Sequence, residues 1–308
     1  MAPSAIPTTI AGDKPSENPA AATFDAKSAI FNTKGTDMKS MAVGAVKKNG
    51  ESAVPEIPNF KTKEEEQKYC KEHLACAFRV FAANGFDEGV AGHMSLRDPI
   101  NPHYFWINPY CMHFEDVTVS DLVCVNEDAE VIEGDHAINA AGFSIHSEIH
   151  KAHPWINAVC HAHSIAGKAY SVFGKPLPPI MQDSLRFYGT HVVNPDYGGV
   201  VLSSEEGKAI AAVLRPQDKV AILQNHGLLS VGETIDEAAY WFLCFDKCCR
   251  AQLMIDAAAA GTGNQPREVD HETAFFTEQR IGTRHRGWLN FQPYYTNMLR
   301  KTKGDFLN

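Results

Sequence analysis

The chain has 308 residues, 44% of them hydrophobic, enough for a substantial buried core in one large domain or two ordinary ones. Its formal net charge of −9 leaves no basic face for a phosphate backbone, which disfavours nucleic acid and makes a small molecule the expected partner. The longest apolar run, Ala238 to Phe245, is far short of the roughly 20 residues that cross a bilayer, and no basic region leads into an apolar one at the N-terminus, so no membrane span and a cytoplasmic location are expected.

Residues 1–58 are rich in Ala, Pro, Ser, Thr, Gly and Lys, bury too little to offset ordering, and are expected to form a disordered arm. The folded domain is expected over 59–261. Thr62-Lys-Glu-Glu65 is a capping box, Tyr69, Cys70, Leu74, Ala77, Phe78 and Phe81 follow at helical spacing, and Asn84-Gly85 supplies the stop. Strands are predicted at Gly92 to Arg97, Tyr104 to Asn108 and Leu122 to Val125, as a meander. A helix is predicted over 140–153, ending before Pro154, and a strand at Ile156 to Cys160. A helix at Ser164 to Phe173 and a loop through Pro176, Pro178 and Pro179 come next. Then follow a helix at Gly207 to Leu214, a strand at Val220 to Gln224, and a long helix at Thr234 to Ala259. That last helix has an apolar face of Ala238, Trp241, Phe242, Phe245, Cys249 and Leu253. Residues 262–308 form an aromatic-rich tail expected to dock on the core or a neighbouring subunit. Short strand connections point to a mixed or antiparallel sheet covered by helices.

The cysteines at 70, 76, 111, 124, 160, 244, 248 and 249 sit mostly in apolar segments and read as reduced, packed thiols. Histidine is different. Six of the fourteen fall between His136 and His163, more than packing asks for. His161 and His163 stand at i and i+2 at the end of a predicted strand, where alternate side chains face one side. Ile222-Leu-Gln-Asn-His226-Gly227 brings a third imidazole off another apolar strand, beside a glycine that lets the backbone turn sharply. Three neutral nitrogens with an open position describe a catalytic zinc site better than a closed structural one. His146, His150 and His153 share a helix face and are rivals for the ligand role.

With these residues in view, the sequence resembles the class II aldolase/adducin family, its adducin-like branch included, over roughly residues 65–260. The ordered motifs are Gly92-His93-Met94-Ser95, Ser147-Glu148, His161-Ala162-His163 and His226-Gly227. The resemblance implies an α/β fold, a three-layer α/β/α arrangement with a largely antiparallel central sheet, and a homotetramer with active sites between subunits. It implies Zn2+ held by His161, His163 and His226, Glu148 as acid/base and possible fourth ligand, and Ser95 and Ser147 as substrate-binding hydroxyls. The implied activity is a zinc-dependent lyase acting through an enediolate or enolate on a small hydroxy-ketone or keto acid, by retro-aldol cleavage or a related decarboxylation, dehydration or epimerisation.

The phosphate-binding Thr-Gly and Ser-Ser-Glu patterns of sugar-phosphate relatives are replaced by Asn108-Pro109 and His146-Ser147-Glu148, so an unphosphorylated substrate is at least as plausible. Asp183 stands near the place of a family proton donor and is read equally as a second acid/base or as a turn-forming residue. Arg97 and Arg186 are candidates for holding an anion or for structural ion pairs. A non-enzymatic, adducin-like interaction module is the competing function, distinguished by whether the protein holds metal.

Overall fold

In the computed structural model, which describes Lys48, Ser52 and residues 54–199 and 204–308, helix α1 (Lys63–Ala83) begins where its cap predicts. The Thr62 hydroxyl accepts the Glu65 amide at 3.2 Å, and Glu65 reaches back to accept the Lys61 amide at 2.9 Å. The arm expected over 1–58 lies almost wholly outside the described residues.

Eight strands form one sheet among the described residues: β1 (His93–Arg97), β2 (Tyr104–Ile107), β3 (Val123–Asn126), β4 (Val131–Glu133), β5 (Ala158–Ala162), β6 (His191–Asn194), β7 (Val220–Leu223) and β8 (Gly227–Gly232). Their order is β4-β3-β2-β1-β5-β8-β7-β6, and every neighbouring pair is antiparallel except β6 with β7. That pair is joined through helix α4 (Ser204–Val213), the crossover a parallel connection needs.

The sheet is covered on both faces, and alternation along β5 shows how. Cys160 and Ala162 join the core with α1 and the long helix α5 (Ile235–Thr262), whose Trp241, Phe242 and Phe245 are wholly buried. Val159 faces the other way, packing with Ile145 and Ile149 of α2 (Ala140–Ala152) and Ile210 of α4. His161 follows Val159 at i+2 and so lies on the α2 side. Helix α3 (Ile165–Ser171) packs on α5.

Residues beyond 262 form helices α6 (His271–Ile281) and α7 (Arg284–Thr302), and α7 lies along α5 and α1. The His73 ring is sandwiched between Tyr69 of α1 and Tyr295 of α7, at centroid separations of 3.8 and 3.9 Å. Its Nδ1 meets Asp236 Oδ1 at 2.7 Å, and Trp288 Nε1 donates to the Tyr69 hydroxyl at 3.1 Å.

Four strands differ from the sequence reading, and the first, β4, lies in a stretch to which it assigned no strand. β5 starts two residues later than expected, which puts His161 inside it. β6 lies within the segment read as loop, and β8 is a separate strand beyond the turn that follows the strand predicted at Val220 to Gln224. β8 is buried on both faces, so its Gly-Leu-Leu-Ser-Val-Gly carries no alternation to mark it. All eight cysteines are free thiols, six of them buried, as the reading of packed thiols expects. Among the described residues no helix is long and apolar enough to cross a membrane.

Candidate metal centre

β5 delivers His161 from its last turn of pleat and His163 one residue beyond its end. His226 comes from the tight turn between β7 and β8, where Asn225 adopts φ 58° and the His226 amide donates to Leu223 O at 3.0 Å. The sharp bend expected of Gly227 is thus made by Asn225. Gly227 keeps ordinary strand geometry, with a side chain there meeting Ala162 O at only 3.4 Å.

The three imidazoles converge. Their ligand nitrogens all lie within 4.8 Å of one another, and His163 Nε2 and His226 Nε2 are 3.1 Å apart. Zinc–nitrogen bonds of about 2.0–2.1 Å require ligand atoms within about 4 Å of each other, so small side-chain adjustments complete the set. The His161 Nδ1–H donates to Leu228 O at 2.8 Å, which leaves its Nε2 lone pair for an ion. Burial, and then repulsion from His163, pushes His226 down to about 4. Burial and then the neighbouring imidazoles hold His161 well below the usual histidine range, while burial and then Lys168 lower His163. Neutral imidazoles are the form a metal needs, and facing nitrogens 3.1 Å apart call for a proton or a cation between them. The residues fit a divalent ion. His226 Nδ1 is buried without a hydrogen bond, and Glu206 Oε1 of α4 lies 3.8 Å from it.

A second set of histidines lies behind the first. His93 pairs with His161 across β1 and β5, with ring centroids 5.0 Å apart. Its Nδ1 is 2.7 Å from His146 Nε2, and His146 Nδ1 is 2.7 Å from Ser95 Oγ. Ser95 Oγ is 2.8 Å from His150 Nε2, whose Nδ1 is 3.0 Å from Ile156 O. Each of these side chains is at most 5% exposed. The helical rivals for the ligand role are therefore accounted for otherwise, and His153 Nε2 bonds to Ala211 O at 2.8 Å.

The other expected site residues do not join the triad. His146 and His150 turn one face of α2 to β1, so Glu148, two positions on, points about 200° round the helix. It faces α4, with its Cβ 3.2 Å from where a side chain at Gly207 would start and its carboxylate 3.6 Å from Lys151. The Ser147 hydroxyl donates to Ser144 O within its own helix at 3.2 Å, and Ser95 is spent on two imidazoles. Asp183 is exposed and paired with Arg186 at 3.3 Å, in a cleft with Tyr240, Lys247, Cys248 and Tyr294. Arg97 donates to the carbonyls of Pro102 and His150.

Two residues went unread in the sequence. His93 sat inside the Gly-x-x-Ser motif, where its parity with Ser95 on β1 was the available signal. Glu206 lies among ordinary first-turn acids of a helix, with nothing to single it out.

Gly142 holds the His93 ring in place: a Cβ there would lie 2.2 Å from His93 Cδ2. Alanine gains at most about 1 kcal/mol of helix propensity, whereas overpacking a filled interior costs about 1–3 kcal/mol. Gly142→Ala is therefore expected to lower the urea midpoint, and an unchanged or raised midpoint would show that the ring has room to move.

A family model for the Class II Aldolase and Adducin N-terminal domain matches residues 72–253. The chain is 41% identical over 248 residues to the decarboxylase NovR of Streptomyces niveus, covering 80% of this chain and 90% of that protein. It is 42% identical over 240 residues to the 4-hydroxy-3-prenylphenylpyruvate oxygenase/4-hydroxy-3-prenylbenzoate synthase of Streptomyces roseochromogenus subsp. oscitans, covering 77% and 84%. The solved L-fuculose 1-phosphate aldolase from Glaciozyma antarctica PI12 superposes with a TM-score of 0.75 at 42% identity, covering 82% of this chain and 96% of that one.

Proposed function

The chain belongs to the class II aldolase and adducin N-terminal domain family, and from that premise we propose that it is a zinc-dependent lyase acting on a small hydroxy-ketone or keto acid, assembled as a homotetramer. The observation that carries the reading is the convergence of His161, His163 and His226, with their ligand nitrogens within 4.8 Å of one another. Two of the names, a decarboxylase and an aldolase, support these reaction classes, and the third is that of an oxygenase acting on a phenylpyruvate, a keto acid.

Zinc held by His161, His163 and His226 would supply Lewis acidity, polarising a substrate carbonyl or hydroxyl oxygen. The chain's own groups prepare for this. Leu228 O fixes the His161 tautomer, and Glu206 Oε1, 3.8 Å from His226 Nδ1, is close enough to orient that ring after a small side-chain shift. The departure from the phosphate-binding pattern at Asn108-Pro109 favours an unphosphorylated substrate: the Asn108 side chain is buried, accepting from the Met94 amide at 3.4 Å and donating to Pro109 O at 3.3 Å.

Elemental analysis of purified protein tests the reading, with a turnover screen against β-keto acids and phosphorylated and unphosphorylated hydroxy-ketones. One zinc per chain and turnover of an unphosphorylated compound are expected. Metal-free native protein without turnover would instead favour an adducin-like interaction module.

A further inference from the structure

We infer that His93 is a substrate-binding residue whose Nε2 is an obligatory hydrogen-bond acceptor beside the histidine triad, held in that state by the buried chain through His146, Ser95 and His150. Such an acceptor takes the hydrogen bond of a substrate hydroxyl and repels a phosphate or carboxylate oxygen, which has no hydrogen to give. The inference rests on the triad being the substrate's binding centre, and it deepens that reading by naming the group that selects the substrate.

The direction of every bond in the chain follows from its far end. Ile156 O, 3.0 Å from His150 Nδ1, can only accept, so that nitrogen carries the hydrogen. His150 is 1% exposed and neutral, so its Nε2 is a lone pair. Ser95 Oγ, 2.8 Å away, must give it the single hydroxyl hydrogen. Towards His146 the same oxygen can then only accept, which places a hydrogen on His146 Nδ1, 2.7 Å away. His146 is wholly buried and neutral, so its Nε2 accepts from His93 Nδ1 at 2.7 Å. One hydrogen per neutral ring leaves His93 Nε2 bare.

The Nε2 edge of the His93 ring rests against Gly142, where a Cβ would come within 2.4 Å of Nε2, so any residue larger than glycine at that position would block the nitrogen. The ring lies 5.0 Å from that of His161, on the sheet face shared with the triad's strand ligand. Ser95, His146 and His150 are positioning residues, acting on substrate only through His93.

Imidazole 15N spectra of histidine-labelled protein read the tautomer, and calorimetry on zinc-loaded protein compares glycolate with acetate, probes that differ by one hydroxyl. The expected wild-type result is His93 in the Nδ1–H form with glycolate bound more tightly. His150→Leu removes the anchor, so that Ser95 donates to His146 and every bond reverses. His93 then carries its hydrogen on Nε2, and the preference for glycolate falls about tenfold, the worth of one good neutral hydrogen bond. Ser95→Ala, which breaks the chain with a smaller residue, gives a mixture of tautomers and a reduced preference should the leucine variant fail to fold. An Nε2–H form in the wild type, or a glycolate preference unchanged in a folded variant, overturns the inference. Protein that shows the Nδ1–H form yet takes up no zinc removes the metal reading alone, and the same glycolate and acetate comparison on the metal-free protein then decides the inference.

Discussion

A His161→Ala, His163→Ala double variant is expected to retain background zinc only and to lose at least about 10³-fold in kcat/KM, because Lewis-acid stabilisation is worth several kcal/mol and each 1.4 kcal/mol is tenfold. Removing a group that merely orients a ligand costs less, so Glu206→Gln should lower zinc affinity by about 10–100-fold and leave measurable turnover. The ratio between the two separates the ion's holders from their support. Folding can be checked in the same samples. Zinc at about 100 times its Kd should stabilise wild-type protein by about 2.7 kcal/mol and do nothing for the double variant, whose own melt stays cooperative. Equal stabilisation of both would place the ion elsewhere.

Acid should destabilise the protein well above the range in which carboxylates usually protonate. Burial, and then the Arg97 guanidinium, push His150 down to about 3 against the raising effect of its bond to Ile156 O, while the unfolded chain titrates near 6.5. A group depressed in the folded state contributes its stability fully above the unfolded value, and that contribution drains away as pH falls towards the folded value. At pH 5, one and a half units into that window, His150 alone takes away about 2 kcal/mol. His93, His146 and His161 are held low chiefly by burial and act in the same direction. Glu206, Glu237 and Asp246 oppose them, since burial raises their carboxyls. Total stabilities of about 5–15 kcal/mol make this a large fraction. Urea midpoints between pH 8 and 5 should therefore fall steeply, and less steeply for His150→Gln. A flat profile would mean that water reaches these rings.

What the sequence made legible follows from where the physics is local. Helix α1 was readable because its cap, Thr62 with Glu65, and its stop at Asn84 are written within a turn of its ends. The pairing of His161 with His163 was readable because strand parity needs only adjacent residues. Glu148 was placed by motif matching rather than by parity; its neighbours His146 and His150, taken at helical spacing, already indicate that it faces away from them. The relay from His93 to Ile156 was beyond reach, since it joins β1 to α2 through a register that only tertiary packing sets. β8 was hidden for a related reason, because a strand covered on both faces loses the alternation that marks its kind.

The stack of Tyr69, His73 and Tyr295 has a consequence for how the chain is made. The hydrogen bond from Trp288 to Tyr69 spans 219 positions, and the rings of α7 cover an aromatic face that α1 presents near the beginning of the domain. During synthesis that face stays uncovered until residues past 295 have left the ribosome, more than ten seconds after α1 at about 5–20 residues per second. For that interval α1 has only the elements already made, α5 among them, to cover it.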